Sequence, residues 1–256
     1  MSICKKIGIF DSGVGGLTVF KEIVKNSPQA DVVYLGDTAR LPYGPKSSDT
    51  IKRYFEQNVK FLKTQNVDHI IVACNSASTV IDQMKLDLPV DGVITIGAKK
   101  AVKQTQNLRI GVIGTAATIK AGAYVKEIKN IKPQIEVFQQ ACPLLVPLVE
   151  ENMIIDEVTT IMLKRYLEPL IRSNIDTLIL GCTHYPIIKK SIQQIVGDKI
   201  HLIDSAEAMG IYLKELGIEG NGEHQIFLTD ISDHFTSISK NILDLSVDSI
   251  ELIDIS

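Results

Sequence analysis

Branched apolar runs alternate with stretches of helical periodicity along the whole chain. The runs predict strands over 7–10, 32–35, 69–73, 93–96, 109–113, 135–138, 177–181, 201–203, 225–228 and 250–253. The stretches between them predict helices over 16–26, 48–65, 76–86, 98–106, 118–130, 156–173, 186–196, 206–216 and 233–244. The stripe is clearest in 48–65, where Ile51, Tyr54, Phe55, Val59 and Leu62 share one side. Pro186 suits a first helical turn, with Thr183 as its cap. Strands alternating with helices predict an α/β fold of mostly parallel sheets with helices on their faces.

The chain also matches itself. IGIFDSG begins at Ile7 and IGVIGTA at Ile110. Each half then runs strand, helix, strand, helix, strand and cysteine: Cys74 in VDHIIVACNSAST and Cys182 in IDTLILGCTHYPI. A period of about one hundred residues is far too long for a solenoid. The expectation is two similar doubly wound domains, related by a pseudo-twofold, with the active site in the cleft between them. Residues 1–97 with 208–256 would form the first domain, carrying Asp11 and Cys74. Residues 98–207 would form the second, carrying Cys182 and His184. The boundary falls at Gly97, where the strand 93–96 ends, and the tail is expected to return to the first domain.

A lone cysteine after a strand is ordinarily a small core residue. Two at matching places read instead as acid–base groups facing one cleft. A thiol where a strand gives way to a helix meets backbone N–H groups and the helix dipole, which lower its pKa from about 8.5. Asp11 lies at the carboxyl end of the first strand, where open α/β sheets bind ligands. Gly13, Gly15 and Gly16 let the backbone turn and approach a ligand. Their spacing is not G-x-G-x-x-G and no Walker lysine follows, which weighs against a nucleotide. In LGDTARLPYGPKS, Pro42 and Pro45 fix the backbone, Gly44 permits an unusual φ, and Arg40 and Tyr43 are candidates to meet an anion.

Further candidates lie around the cysteines. Asn75 and Ser76 can bind a carboxylate, and His184 is a proton partner for Cys182. Thr115 and Thr118 either cap a helix or bind ligand. Of Glu150 and Glu151, one turns inward to adjust the second acid–base pair, or both sit at a solvated helix end. Cys4 reads as incidental and Cys142 as core.

Composition narrows the class. The chain has 256 residues, 45% hydrophobic, and a net charge of −3, which offers nothing to nucleic acid or an acidic membrane. It has no run of about 18 apolar residues for a membrane span and no signal-peptide pattern at its start. Four cysteines are too few for a disulfide framework, and no CxxC pair suggests zinc. Free thiols, a cytoplasmic location and no metal are expected.

The blocks IFDSGVGGLTV, YLGDTARLPYG, ACNSAS, GVIGTAAT, ACPLLVPLVEE and LGCTHYPII run from Ile7 to Ile188. Together they closely resemble the glutamate racemases of the aspartate/glutamate racemase superfamily. One departure is Ser76, where that family usually has threonine. The resemblance implies cofactor-independent conversion of L-glutamate to D-glutamate by two-base proton transfer. It assigns Cys74 to the D-enantiomer, assisted by Asp11. It assigns Cys182 to the L-enantiomer, assisted by His184, with Glu150 a further candidate. It places Asp11, Ser12, Tyr43, Gly44, Asn75, Ser76, Thr183 and His184 on the substrate, to which the residue reading adds Thr115 and Thr118. It implies glutamate as the small-molecule partner, no pyridoxal phosphate, and D-glutamate for peptidoglycan, hence a part in cell-wall biogenesis and cell shape. A second copy of the chain, forming a homodimer, is the expected protein partner. Two alternatives stay open. An aspartate racemase would need a pocket shorter by one methylene, a difference of about 1–3 kcal/mol. A two-lobed amino-acid binding protein without chemistry would need no paired thiols.

Overall fold

The computed structural model describes residues 6–231, 239, 242 and 249–255. Its strands, in chain order, are β1 (Lys6–Asp11), β2 (Asp31–Gly36), β3 (His69–Val72), β4 (Val90–Gly92), β5 (Arg109–Gly114), β6 (Glu136–Ala141), β7 (Thr177–Gly181), β8 (His201–Asp204), β9 (His224–Leu228) and β10 (Ser249–Leu252). They form two sheets in the orders β10-β9-β2-β1-β3-β4 and β6-β5-β7-β8. Every pairing among the described residues is parallel. The order β2-β1-β3-β4 recurs as β6-β5-β7-β8, so the repeat in the motifs is also a repeat in topology. The strands of the tail extend the first sheet, β9 beside β2 and β10 beside β9.

The helices are α1 (Leu17–Asn26), α2 (Ser48–Thr64), α3 (Asn75–Ser78), α4 (Val93–Gln104), α5 (Ala116–Ala121), α6 (Ala123–Ile131), α7 (Leu145–Glu150), α8 (Glu157–Arg172), α9 (Lys189–Val196) and α10 (Ser205–Leu216). In α2, the Ser47 side chain accepts from the Thr50 N–H at the start, and Lys63 lies in the last turn. Its Ile51, Phe55, Val59 and Leu62 are buried, each contributing about 1.5–3 kcal/mol. They pack on one face of the first sheet, with Phe10 and Val72. Ile7 and Ile9 point to the other face, against Phe20 of α1 and Leu213 of α10. The second sheet is covered likewise: Ile110 and Val112 face Ala98 of α4 and Ile128 of α6, and Ile113 faces Leu163 and Leu167 of α8. Both sheets are thus buried on both faces, as parallel sheets require.

Several expected elements differ. The run 93–96 is not a strand: β4 ends at Gly92 and α4 begins at Val93, leaving Gly97 inside the helix. This helix lies between the two halves. Val93 and Ile96 pack into the first core, and Ile94, Ala98 and Ala101 into the second. Apolar residues on both sides imitate a buried strand. The helix expected over 76–86 is α3 followed by a 3₁₀ turn at Ile81–Gln83. The one over 118–130 is α5 and α6, broken at Gly122, whose φ is +64°. Residues 185–188 form a 3₁₀ turn before α9, and Thr183 does not cap it. The segment α7 is absent from the helices expected above, although a helix end was one reading of Glu150 and Glu151. The expected helix over 233–244 lies outside the described residues except for 239 and 242, and Cys4 lies outside them altogether.

Candidate active site

Register places the chemistry. Asp11 ends β1 opposite Gly36, and Phe10 pairs with Val72. The residues beyond β1 and β3 therefore emerge side by side at one edge, Ser12 from one strand and Cys74 from the other. In the second sheet Gly114 pairs with both Ala141 and Gly181. Thr115, Cys142 and Cys182 emerge there in the same way. The two edges meet around one cavity, lined by Cys74 and Cys182 together with Ser12, Tyr43, Gly44, Asn75, Ser76, Thr115, Thr183 and His184. Pro42 and Val146 complete the wall. Asp11, Thr118 and Glu150 stand behind it. Cys142 is core, packed with Leu145 and Leu178.

Cys74 caps α3. Its sulfur accepts the Ala77 N–H at 3.4 Å and donates to the Ser12 hydroxyl at 3.6 Å. Position at a helix start was expected to lower its pKa. Burial reverses this. Desolvation and then the Asp11 charge push Cys74 up to about 12, and the Ala77 N–H and Ser12 offset only part. A helix of four residues has little dipole to set against burial.

His184 serves the other sulfur. Its Nδ1 lies 3.8 Å from Cys182 Sγ, and its Nε2 is bonded to Glu150. Burial alone would favour neutral imidazole, but Cys182 and Glu150 outweigh it and raise His184 to about 10. Glu150 reaches in because it ends α7, whose Leu145, Val146 and Val149 are buried. Glu151, next along, is exposed.

Asp11 joins the two sides. Gly13 and Gly16 N–H groups donate to its Oδ2 at 3.0 and 2.9 Å, and the Thr183 hydroxyl donates to its Oδ1 at 3.3 Å. Burial raises its carboxyl above the usual range, against the pull of the His184 charge and these donors. The loop glycines make room for this. A Cβ on Gly16 would stand 2.2 Å from Asp11 Cβ, and one on Gly15 would stand 2.5 Å from Thr183 Oγ1. Beneath the loop, the Tyr34 hydroxyl donates to Gly13 O at 2.6 Å.

Gly44 was expected to take an unusual φ, and it does not. Its role is close approach: a Cβ would meet Thr115 Cβ at 2.9 Å, and Gly44 O accepts the Ala117 N–H at 3.0 Å. Arg40 is also corrected as an anion-binding candidate. It bonds Asp37 through Nε at 2.7 Å and lies over the Tyr54 ring, away from the cavity. Asp37 in turn accepts from the Tyr43 hydroxyl, which sequence reading missed because the partners span a proline loop.

The polar wall is largely satisfied. Thr115 caps α5 by accepting the Thr118 N–H at 3.2 Å, so it caps a helix and also lines the cavity. Ser76 Oγ lies 2.9 Å from Thr115 Oγ1. The exception is Asn75, whose buried Nδ2 has no partner among the described residues. The cavity itself is about 20 Å³, room for about one water. A larger cleft of about 530 Å³ beside Arg40 and residues 252–255 contains neither cysteine. Among the described residues no group of three or more His, Cys, Asp or Glu is placed to hold a metal, and no helix is long and apolar enough to cross a membrane.

Comparison with known proteins shows the family and the fold. The family model described as Asp/Glu/hydantoin racemase matches residues 8–209. A glutamate racemase from Sulfurihydrogenibium sp. is 48% identical over 257 residues, covering 97% of this chain and 98% of the relative. The crystal structure of a glutamate racemase isoform from Bacillus anthracis superposes with a TM-score of 0.91 at 36% identity, covering 98% of this chain and 97% of that one. That of the Francisella tularensis glutamate racemase in complex with D-glutamate gives 0.90 at 37% identity, covering 98% of each chain.

Proposed function

From the premise that the chain belongs to the Asp/Glu/hydantoin racemase family, as its match over residues 8–209 and its relatives establish, we propose that it interconverts L- and D-glutamate with two cysteines and no cofactor. The observation that carries this reading is a pair of thiols, at equivalent strand ends of two matching sheets, lining one cavity. Inversion at a carbon needs a proton taken from one face and another given to the opposite face. A repeated half supplies one sulfur to each face.

The surroundings support a direction for each step. Cys74, pushed up to about 12, rests as the thiol and is the proton donor. In the L-to-D direction Cys182 is then the base, with the His184 imidazolium beside its sulfur and Glu150 holding that cation in place. In the reverse direction Cys74 takes the proton, and Asp11, whose charge acts on it, is its assistant. The α-hydrogen of an amino acid is a weak acid, so the developing negative charge must be spread onto the carboxylate. Ser12, Asn75, Ser76, Thr115 and Thr183 line the cavity with hydroxyl and amide groups suited to that task.

A cavity of about 20 Å³ does not admit glutamate. The reading therefore includes separation of the two sheet-bearing halves, with α4, which packs into both cores, as the element they share, followed by closure over the substrate. Closure removes water and strengthens each polar contact. We assign the product D-glutamate to peptidoglycan synthesis in the cytoplasm. The test is turnover of L-glutamate beside L-aspartate, following optical rotation. Inversion of glutamate is expected to exceed that of aspartate; preference for aspartate, or binding of glutamate without inversion, would refute the reading.

A further inference from the structure

The orphaned amide of Asn75 has a neighbour that no catalytic step uses. Asn75 Oδ1 accepts from the Tyr124 hydroxyl at 2.7 Å, while Nδ2 is buried and has no partner among the described residues. Leaving a buried donor unmatched costs about 1–3 kcal/mol. Such a group is retained where a ligand completes it. An amide has an acceptor end and a donor end, and whatever grips one end decides which end is presented elsewhere.

Tyr124 is well placed to grip. It is fully buried in the core between α4 and the second sheet, with Ile94 and Ala98. The Ser205 hydroxyl lies 3.1 Å from its oxygen. Its ring fills a niche that two glycines open: a Cβ on Gly181 would stand 3.1 Å from Tyr124 Cε2, and one on Gly97 would stand 3.4 Å from its hydroxyl. Gly122, at φ +64°, breaks the helix just before it and starts α6 at Ala123. Tyr124 does not line the cavity.

We propose that Tyr124 is a positioning residue for the substrate: by holding Asn75 Oδ1, it turns Nδ2 to the cavity, where it donates to a carboxylate oxygen of the bound amino acid. Asn75 follows β3 of the first sheet, and Tyr124 belongs to the core of the second. The bond spans the two halves, so the donor is presented in its working orientation as the halves come together.

This inference rests on the reading of the site as an amino-acid racemase. Tyr124→Phe keeps the ring and removes the hydroxyl. KM for both glutamate enantiomers is expected to rise about 10-fold, with kcat changed less than about 3-fold, the size of one lost hydrogen bond. In an Asn75→Ala background the same substitution is expected to leave KM within about 2-fold, because the group it acts through is gone. A purely structural role would repeat the full loss in that background. An unchanged KM in Tyr124→Phe, or a repeated loss in the double variant, overturns the proposal. If Tyr124→Phe fails to fold, Ser205→Ala reads the same chain: a KM rise of about 3-fold supports it and an unchanged KM overturns it. If the wild type does not invert glutamate, the functional reading fails instead. The crystal structure of Tyr124→Phe, or of Ser205→Ala, then decides: an Asn75 amide turned from its wild-type orientation supports the inference, and an unmoved one overturns it.

Discussion

The imidazole Nδ1 of His184 lies 3.8 Å from the sulfur of Cys182. It gives Cys182 a bonded imidazole, where Cys74 has the charge of Asp11 instead. Free enantiomers are equally stable, so kcat/KM must fall equally in both directions when His184 is replaced. The asymmetry shows elsewhere. His184→Asn should slow proton transfer at Cys182 by about 10²-fold or more, making that step limiting. Glutamate deuterated at Cα should then show a larger primary isotope effect on kcat/KM from the L- than from the D-enantiomer. Equal effects would remove the partnership.

Glu150 bonds the far nitrogen of His184 and helps keep it charged up to about 10. Below that pH the imidazolium is present, and above it the proton is lost. Glu150→Gln removes one of the two influences that outweigh burial, so His184 should lose its proton at lower pH. The alkaline fall of kcat for L-glutamate is expected to move toward neutrality in this variant. A profile superimposable on that of the wild type would separate Glu150 from the chemistry.

On the proposed mechanism Cys74→Ala and Cys182→Ala each remove one of two required proton carriers. Racemisation should fall by at least about 10²–10⁴-fold in either variant, with the far-ultraviolet circular dichroism unchanged. Near-normal rates in one variant would reduce the mechanism to a single base.

Two glycines separate close approach from backbone conformation. Gly16→Ala would bring a methyl to 2.2 Å from Asp11 Cβ and 2.7 Å from the Tyr34 hydroxyl. It should cost about 1–3 kcal/mol or more by overpacking and reduce kcat by displacing Asp11. Gly122→Ala meets nothing within 4 Å but keeps a φ of +64°. It should cost about 1–2 kcal/mol, for the left-handed backbone alone. Thermal unfolding and kcat measured together distinguish them; equal loss of kcat in both would contradict the assignment.

What the sequence revealed was what the repeat repeats. Strand ends carrying Cys74 and Cys182 are legible because a buried parallel strand is a continuous apolar run and its successor residue is fixed by register. Helix α4 was misread at 93–96 because it is covered on both sides, which erases the stripe that marks a half-buried helix. The elevated thiol of Cys74 depends on desolvation, which arises from packing and has no local signature. The same holds for Tyr124 and Asn75, forty-nine positions apart in sequence and on helices of different halves. Gly44 was recognised as special for the wrong reason: a neighbour from the other half, Thr115, sets its limit.

The most direct measurement of the central claim is incubation with L-glutamate in D₂O, following optical rotation and the α-proton resonance together. Two sulfurs on opposite faces predict that each molecule inverted to D-glutamate carries a solvent deuteron at Cα, placed by Cys74 after Cys182 removes the original hydrogen. Inversion that retains the substrate's own hydrogen would mean one group serves both faces, and would contradict the account.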